Sequence, residues 1–301
     1  MRFLPFLFPL ALLLGCHSEI KKAGTVTVRD GLGRTLQLPA HPRRVLALAP
    51  SITEMLFAVA DTATIVSRCP QDNYPAAVFR KPIVNNYPLD MEKLVLLKPD
   101  VVFTVEGMTS VDDAQRLQQL GIPVYFQRYR TVEDVFMGIE TIGKLLGRTA
   151  NAKHFADSLR QELKETRVFG GNHERPKVLA ITWQDPIYSY GQNTLFTDEI
   201  ARAGGQNAIT DTFPQPYPAL TREYILQLNP DVLLGGSFGK LDSTFFKNYP
   251  ELRRINAYKN HRVFAITGNL MERPGPRVVE SVRELKSLLQ QAAPRPPVSA
   301  R

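Results

Sequence analysis

The spacing of apolar residues changes period several times along the chain, and each change marks an element. Over "GTVTVRDGLGRTLQLPAHPRR" apolar and polar positions alternate, Val26 with Val28 and Leu36 with Leu38, about a turn at Asp30-Gly31. That pattern predicts a β-hairpin. Val45 to Leu48 form an unbroken apolar run, as in a strand buried on both faces. After Pro50-Ser51 the period lengthens, with Ile52, Met55, Leu56 and Val59 marking a helix that Ser51 or Thr53 would cap. A short strand "TIVS" and a polar loop to "KPIV" follow. A helix from Glu92, a strand "DVVF", a helix "DDAQRLQQLG" stopped by Gly121 and a strand "IPVYFQ" complete the first half.

From Val132 to Thr166 the spacing stays at three and four: Val135, Ile139, Ile142, Leu145, Leu146, then Phe155, Leu159 and Leu163. No proline interrupts it, so it predicts one long helix, kinked near Gly147-Arg148-Thr149. The first plan then returns. "KVLAIT" matches "RVLALA" as a buried strand, "NTLFTDEIARAGG" is a capped helix with a glycine stop, and "YPELRRINAYKNHRVFAIT" gives a helix and a strand. The conclusion is an α/β fold of two matching lobes joined by one long helix. The N-terminal lobe spans 25–131, the bridging helix 132–168 and the C-terminal lobe 175–290, with a flexible tail over 291–301.

The clearest internal echo is "MEKLVLLKPDVVF" against "REYILQLNPDVLLGG". The residue before a proline resists the α region, so Lys98 and Asn229 end their helices and the chain turns into a strand. A glutamate opens each unit, Glu92 and Glu223. From the residues alone each is an ordinary helix-start acid, favoured there by the helix dipole and left exposed.

The N-terminus adds a second kind of information. "MRFLPFLFPLALLLGC" has one positive residue, Arg2, then an apolar run from Phe3 to Leu14. Twelve residues make about 18 Å of helix, too short for a bilayer core of about 30 Å. Residues 1–15 therefore read as a signal peptide, and Leu13-Leu14-Gly15-Cys16 resembles the bacterial lipobox. Lipid on Cys16, followed by a tether over 16–24, would anchor an exported protein to a membrane of the periplasm or cell envelope. Cys69 is then left without a disulfide partner and reads as a small buried hydrophobe.

Net charge adds little. The formal value is +8, yet basic residues are scattered among acidic ones with no aromatic-interleaved cluster, so nucleic acid is not an expected partner. Catalytic patterns are missing as well: there is no G-x-S-x-G, no H-E-x-x-H, and "GGSFGK" lacks the spacing of a phosphate loop. The five histidines are far apart and suggest no metal site. An enzyme and a solute sensor are the readings set against a carrier.

Two α/β lobes facing one cleft favour ligand capture at the carboxyl ends of their strands. "VTVRDGLGRTLQLPAHPRRVLALAPSITEMLFAV", "MEKLVLLKPDVVF", "LTREYILQLNPDVLLGG" and "NLMERPGPRVVES" resemble the periplasmic binding proteins of ABC importers for cobalamin, ferric siderophores and haem. The similarity covers about residues 25 to 290 and is nearest to the cobalamin binders. It implies two Rossmann-like lobes bridged by a single helix, with the ligand cleft between them and little hinge closing. It also implies a monomeric binding protein without a cofactor of its own. The partners it implies are a membrane permease dimer and its ATPase subunits. On that likeness Glu92 and Glu223 match the two acids that dock into the permease subunits.

The loops after the strands supply the expected ligand contacts: Tyr74, Tyr87, Trp183, Tyr188, Tyr190, Phe213, Tyr217, Asn269 and Arg273. Tyrosine and tryptophan offer flat apolar faces with a polar tip, suited to a large amide-bearing macrocycle. A corrinoid is therefore the first expectation. Relatives carry tryptophan where this chain has Tyr217 and Leu270. Arg68, Arg128, Arg130 and Arg273 support the alternative, a ferric siderophore or haem, through guanidinium–carboxylate pairing.

Overall fold

The computed structural model describes residues 24–166 and 175–292. The segment expected to be a signal peptide, Cys16 and all of the expected tether except Gly24 lie outside the described residues, as does the chain beyond 292. In the N-terminal lobe, β1 (Thr25–Arg29) and β2 (Thr35–Pro39) form the antiparallel hairpin that the alternation predicts. Next come β3 (Val45–Ala47), α1 (Pro50–Val59), α2 (Met91–Leu97), β4 (Val101–Val105), α3 (Val111–Gln119) and β5 (Val124–Gln127). The strands β3-β4-β5 lie in that order as a parallel sheet. "TIVS" is not a strand but reaches this sheet through a single bridge, Val45 with Ile65, and "KPIV" joins only Arg68 beyond it, through a bridge at Ile83.

Two local details depart from the sequence reading. Ala49, not Ser51 or Thr53, is the N-cap of α1, with Pro50 in its first turn. Proline there has no N–H to satisfy, which relieves the need for a side-chain cap. Thr53 instead donates to the carboxylate of buried Asp72 at 2.8 Å.

The predicted bridging helix is two helices, α4 (Val132–Leu145) and α5 (Thr149–Glu165). Gly147 has φ of +68°, which ends the first helix and lets the chain fold back. Gly143 lies so close to Ala152 that a Cβ there would collide. Arg160 near the end of α5 returns to Glu133 and Glu140 of α4. The pair is an antiparallel helical hairpin, and the periodicity missed it because both arms bury the same spacing. Both arms join the lobes: α5 touches α1 on one side and α11 (Val278–Ala292) on the other, and α4 packs on α1 while its Val132 N–H donates to Asp198 Oδ2 of the C-terminal lobe at 2.8 Å.

The C-terminal lobe contains β6 (Lys177–Trp183), β7 (Tyr188–Ser189), α6 (Leu195–Arg202), β8 (Gln206–Asn207), α7 (Arg222–Leu228), β9 (Val232–Gly235), α8 (Phe245–Asn248), α9 (Asn256–Lys259), β10 (Val263–Ala265) and α10 (Gly268–Met271) before α11. Its sheet runs β10-β9-β6-β7, with β8 also on β6; only β7 is antiparallel. The single helix predicted across "YPELRRINAYK" is a 3-10 turn, Pro250–Arg254, followed by α9. One apolar cluster runs from Leu36 and Ile52 through Ile139 and Leu159 to Ile200 and Leu285. The lobes thus share a core, and each has a second cluster on its outer side.

The repeated unit folds twice in the same way. Lys98 and Asn229 both take left-handed conformations, φ +44° and +43°, as the C-caps of α2 and α7. Asp100 then accepts the N–H groups of Arg43 and Arg44 at 2.6 and 2.9 Å, and Asp231 accepts that of Lys177 at 3.0 Å. Each Pro-Asp step therefore clamps a helix end to the start of the neighbouring strand.

Candidate cleft and docking site

Parallel strands bring their carboxyl ends to one edge of each sheet, and the loops leaving those ends carry the candidate residues. In the N-terminal lobe Tyr74 and Tyr87 are exposed, Tyr87 at 89 %. Both precede cis-prolines. The Arg277 guanidinium lies over the Tyr74 ring, 4.9 Å from its centroid. In the C-terminal lobe Trp183, at the end of β6, is half exposed and holds its indole N–H on the Asp185 carbonyl at 2.9 Å.

Tyr190 is buried and donates its hydroxyl to the Met271 carbonyl at 3.1 Å. Tyr217 rests edge-on against Tyr190 with centroids 5.5 Å apart and keeps half its surface open. Burial raises the Tyr217 phenol pKa, with Arg130 opposing the shift and Glu106 adding to it. Tyr188 is half-buried in β7, bridged to Ala219. Phe213 is partly buried and packs edge-on against Tyr224 on the outer core cluster. Asn269 is half-buried in α10.

Arg273 is already engaged by protein. It donates to Asn73 Oδ1 at 2.8 Å and to the Gln71 carbonyl at 3.0 Å, and lies 3.7 Å from Glu54. Burial lowers its pKa, and Glu54 works against that shift. Arg68 donates to the Cys69 carbonyl and stacks over Phe79, 5.3 Å from the ring centroid. Cys69 is buried, with its thiol pKa pushed up by burial, then by Asp72. Its reading as a packing residue holds.

Two residues escaped the sequence reading. Phe238 is 61 % exposed and pairs with Trp183, ring centroids 6.2 Å apart and planes at 31°. It sits in "GGSFGK", whose glycines serve close packing: a Cβ on Gly239 would strike the Ile181 carbonyl, and one on Gly235 would strike the Gly239 carbonyl. Glu272 accepts the N–H groups of Ser237 and Phe238, at 2.9 and 3.4 Å, fixing the loop. The second is Glu106, directly after β4, which pairs with Arg128 at 3.1 Å and Arg130 at 2.6 Å. The rule that ligands meet strand carboxyl ends would have found it.

Glu92 and Glu223 open α2 and α7, both exposed, after the N-caps Asp90 and Thr221. The Glu223 carboxyl pKa is lowered by hydrogen bonding to its own backbone N–H, then to the Thr221 hydroxyl. No carboxylate–cation pair engages Glu92 among the described residues. Neither do those residues contain a cluster of His, Cys, Asp or Glu suited to a metal ion, or a helix long and apolar enough to cross a membrane.

Comparison with known proteins gives a consistent picture. The sequence profile described as periplasmic binding protein matches residues 45–270. An uncharacterised ABC transporter substrate-binding lipoprotein, YvrC, of Bacillus subtilis (strain 168) is 27 % identical over 267 residues, covering 86 % of this chain and 84 % of that protein. A cobalamin-binding protein of Halobacterium salinarum is 28 % identical over 282 residues, covering 89 % and 76 %. The crystal structure of the periplasmic vitamin B12 binding protein BtuF of Vibrio cholerae superposes with a TM-score of 0.73 at 22 % identity, over 83 % of this chain and 98 % of that one.

Proposed function

Because the chain belongs to the periplasmic binding protein family, we propose that it is the substrate-binding component of an ABC importer for a corrinoid such as cobalamin. The observation that carries this reading is the set of exposed aromatic faces on the strand-end loops: the Trp183–Phe238 pair and half-exposed Tyr217 on the C-terminal lobe, and exposed Tyr74 and Tyr87 on the N-terminal lobe. Flat apolar faces of that extent match the ring of a large macrocycle, and their polar tips match its rim. The cobalamin-binding protein of Halobacterium salinarum lends sequence support over most of the chain. The second reading, a ferric siderophore or haem, draws on Arg128 and Arg130 at the cleft edge.

Delivery rests on Glu92 and Glu223, one exposed acid at the same step of each lobe. Two equivalent carboxylates suit a two-fold permease with cationic pockets. Anchoring through lipid on Cys16 draws support from the lipoprotein relative in Bacillus subtilis. Mass spectrometry of the membrane fraction tests it: acylated Cys16 supports the anchor, and an unmodified N-terminus removes it.

The ligand is tested by titrating the mature protein with cyanocobalamin, hemin and ferric siderophores while following Trp183 fluorescence, since it is the single tryptophan. Saturable quenching by cyanocobalamin is the expected result. Binding of a siderophore with no response to either tetrapyrrole would sink the corrinoid assignment.

A further inference from the structure

The N-terminal lobe's cleft wall carries two arginines that the lobe itself has already engaged. Glu106 leaves the end of β4 with its N–H on the Gln127 carbonyl at 2.9 Å, so its side chain starts from a fixed point beside β5. Its two oxygens divide between two guanidiniums: Oε1 to Arg128 at 3.1 Å and Oε2 to Arg130 at 2.6 Å. The Arg130 backbone is fixed in turn, its N–H donating to Asp134 Oδ2 at 2.8 Å. All three side chains remain between 30 % and 44 % exposed, so a bound molecule can reach them. Just beyond Arg130 the chain meets the C-terminal lobe, where the Val132 N–H donates to Asp198 Oδ2 at 2.8 Å, and on that lobe the half-exposed Tyr217 packs edge-on against Tyr190 within the influence of the Arg130 and Glu106 charges.

We infer that Glu106 is a specificity-determining residue that holds Arg128 and Arg130 and turns the cleft against ligands with carboxylate rims, in favour of uncharged, amide-bearing ones. This rests on the proposed capture of a macrocycle between the lobes and refines its chemical class. Arginine recognises a carboxylate best through two parallel N–H donors. With Glu106 in place, each guanidinium has donors committed to it, and an incoming carboxylate meets a fixed negative charge. An amide rim meets neither obstacle, since its carbonyls accept from the remaining donors and its N–H groups donate to Glu106. Specificity then comes from an unfavourable contact to the wrong ligand as much as from a favourable one to the right ligand. The other arginines near the cleft reinforce this: Arg273 and Arg277 are taken by Asn73, Gln71 and Glu54.

The test compares hemin, which has two carboxylates, with its dimethyl ester, which has the same ring and none. Both are titrated into the mature wild-type protein and into Glu106→Gln and Glu106→Ala, with Trp183 fluorescence as the readout and thermal unfolding to verify the fold. The ratio of hemin to ester affinity should rise at least about tenfold in both variants, and the gain should shrink as salt is raised. Adding Arg128→Gln and Arg130→Gln to Glu106→Gln should abolish the gain. The same affinity ratio in the wild type and both variants overturns the inference, as does a shift toward the ester. Cyanocobalamin is titrated alongside: its failure to bind the wild type sinks the corrinoid reading, while the hemin-to-ester ratio still decides the role of Glu106.

Discussion

Arg277, just before α11 of the C-terminal lobe, grips Glu54 of α1 in the N-terminal lobe through both carboxylate oxygens. Nη2 donates to Oε1 at 2.7 Å and Nε to Oε2 at 2.9 Å. The Glu54 side chain is 2 % exposed, so the pair closes a buried joint between lobes that also share an apolar core. Tyr74 covers the guanidinium and Arg273 stands beside the same acid.

Removing one partner of such a pair leaves a charge with little water to replace it. Glu54→Ala should lower stability by about 3 kcal/mol in chemical denaturation. Glu54→Ala with Arg277→Met should recover part of that loss. A double variant no more stable than Glu54→Ala would mean that the joint is held by packing alone.

The Pro-Asp clamps predict matched effects in the two lobes. Asp100→Ala and Asp231→Ala each remove a carboxylate that accepts backbone N–H groups at a helix-to-strand step. Each should cost about 1–3 kcal/mol, with Asn retaining part of the interaction. Urea midpoints of the four variants check this, and an Asp100→Ala protein as stable as wild type would speak against the clamp.

Glu199 links stability to pH. It is buried at the contact of α6 with α11, where the Ser281 hydroxyl donates to it. Burial pushes its pKa well above the ordinary carboxylate value, with Ser281 pulling the other way. The folded state therefore holds this proton more tightly than the unfolded chain. Its contribution to stability falls as pH rises from the unfolded pKa through the folded one. Glu199→Gln should be more stable than wild type at neutral pH and show a flatter profile on the alkaline side. Parallel pH–stability curves for the two proteins would refute this.

Among the exposed aromatic faces, Phe238→Ala should weaken cyanocobalamin binding about five- to tenfold, the value of one aromatic contact. Calorimetric titration measures it. An affinity equal to wild type would remove Phe238 from the binding surface.

For docking, Glu92→Ala with Glu223→Ala should abolish uptake in membrane vesicles supplied with ligand-loaded protein, while ligand affinity in solution is kept. Each acid is exposed at a helix start. Uptake at the wild-type rate would refute the assignment.

Much of this protein is legible from the chain because the forces involved are local. Alternation at Val26 to Leu38, the apolar runs of β3 and β6 and the pre-proline restriction at Lys98 and Asn229 act within a few residues. They suffice to fix the hairpin, the main parallel strands, most of the helices and the duplication, while the two-residue strands β7 and β8 escape them and "TIVS" makes only a single bridge. The acids of the two repeated units stand out for the same reason, since helix and strand formation account for every other position in them.

Contacts between distant residues were decided only in three dimensions. The periodicity from Val132 to Thr166 fits one helix or two, and the close approach of Gly143 to Ala152, with Arg160 reaching Glu133, makes it a hairpin. Phe238 sits beside Trp183 because a glycine-rich loop packs its backbone onto β6, a relation that no window of sequence contains. Arginines that look free in the sequence are committed in the fold, Arg273 and Arg277 across the lobe joint and Arg128 and Arg130 to Glu106. The sequence by itself determined two repeated α/β halves with an exposed acid on each. Only the tertiary structure decided which charges the cleft leaves open to a ligand, because long-range pairing depends on where strand ends meet and not on their order along the chain.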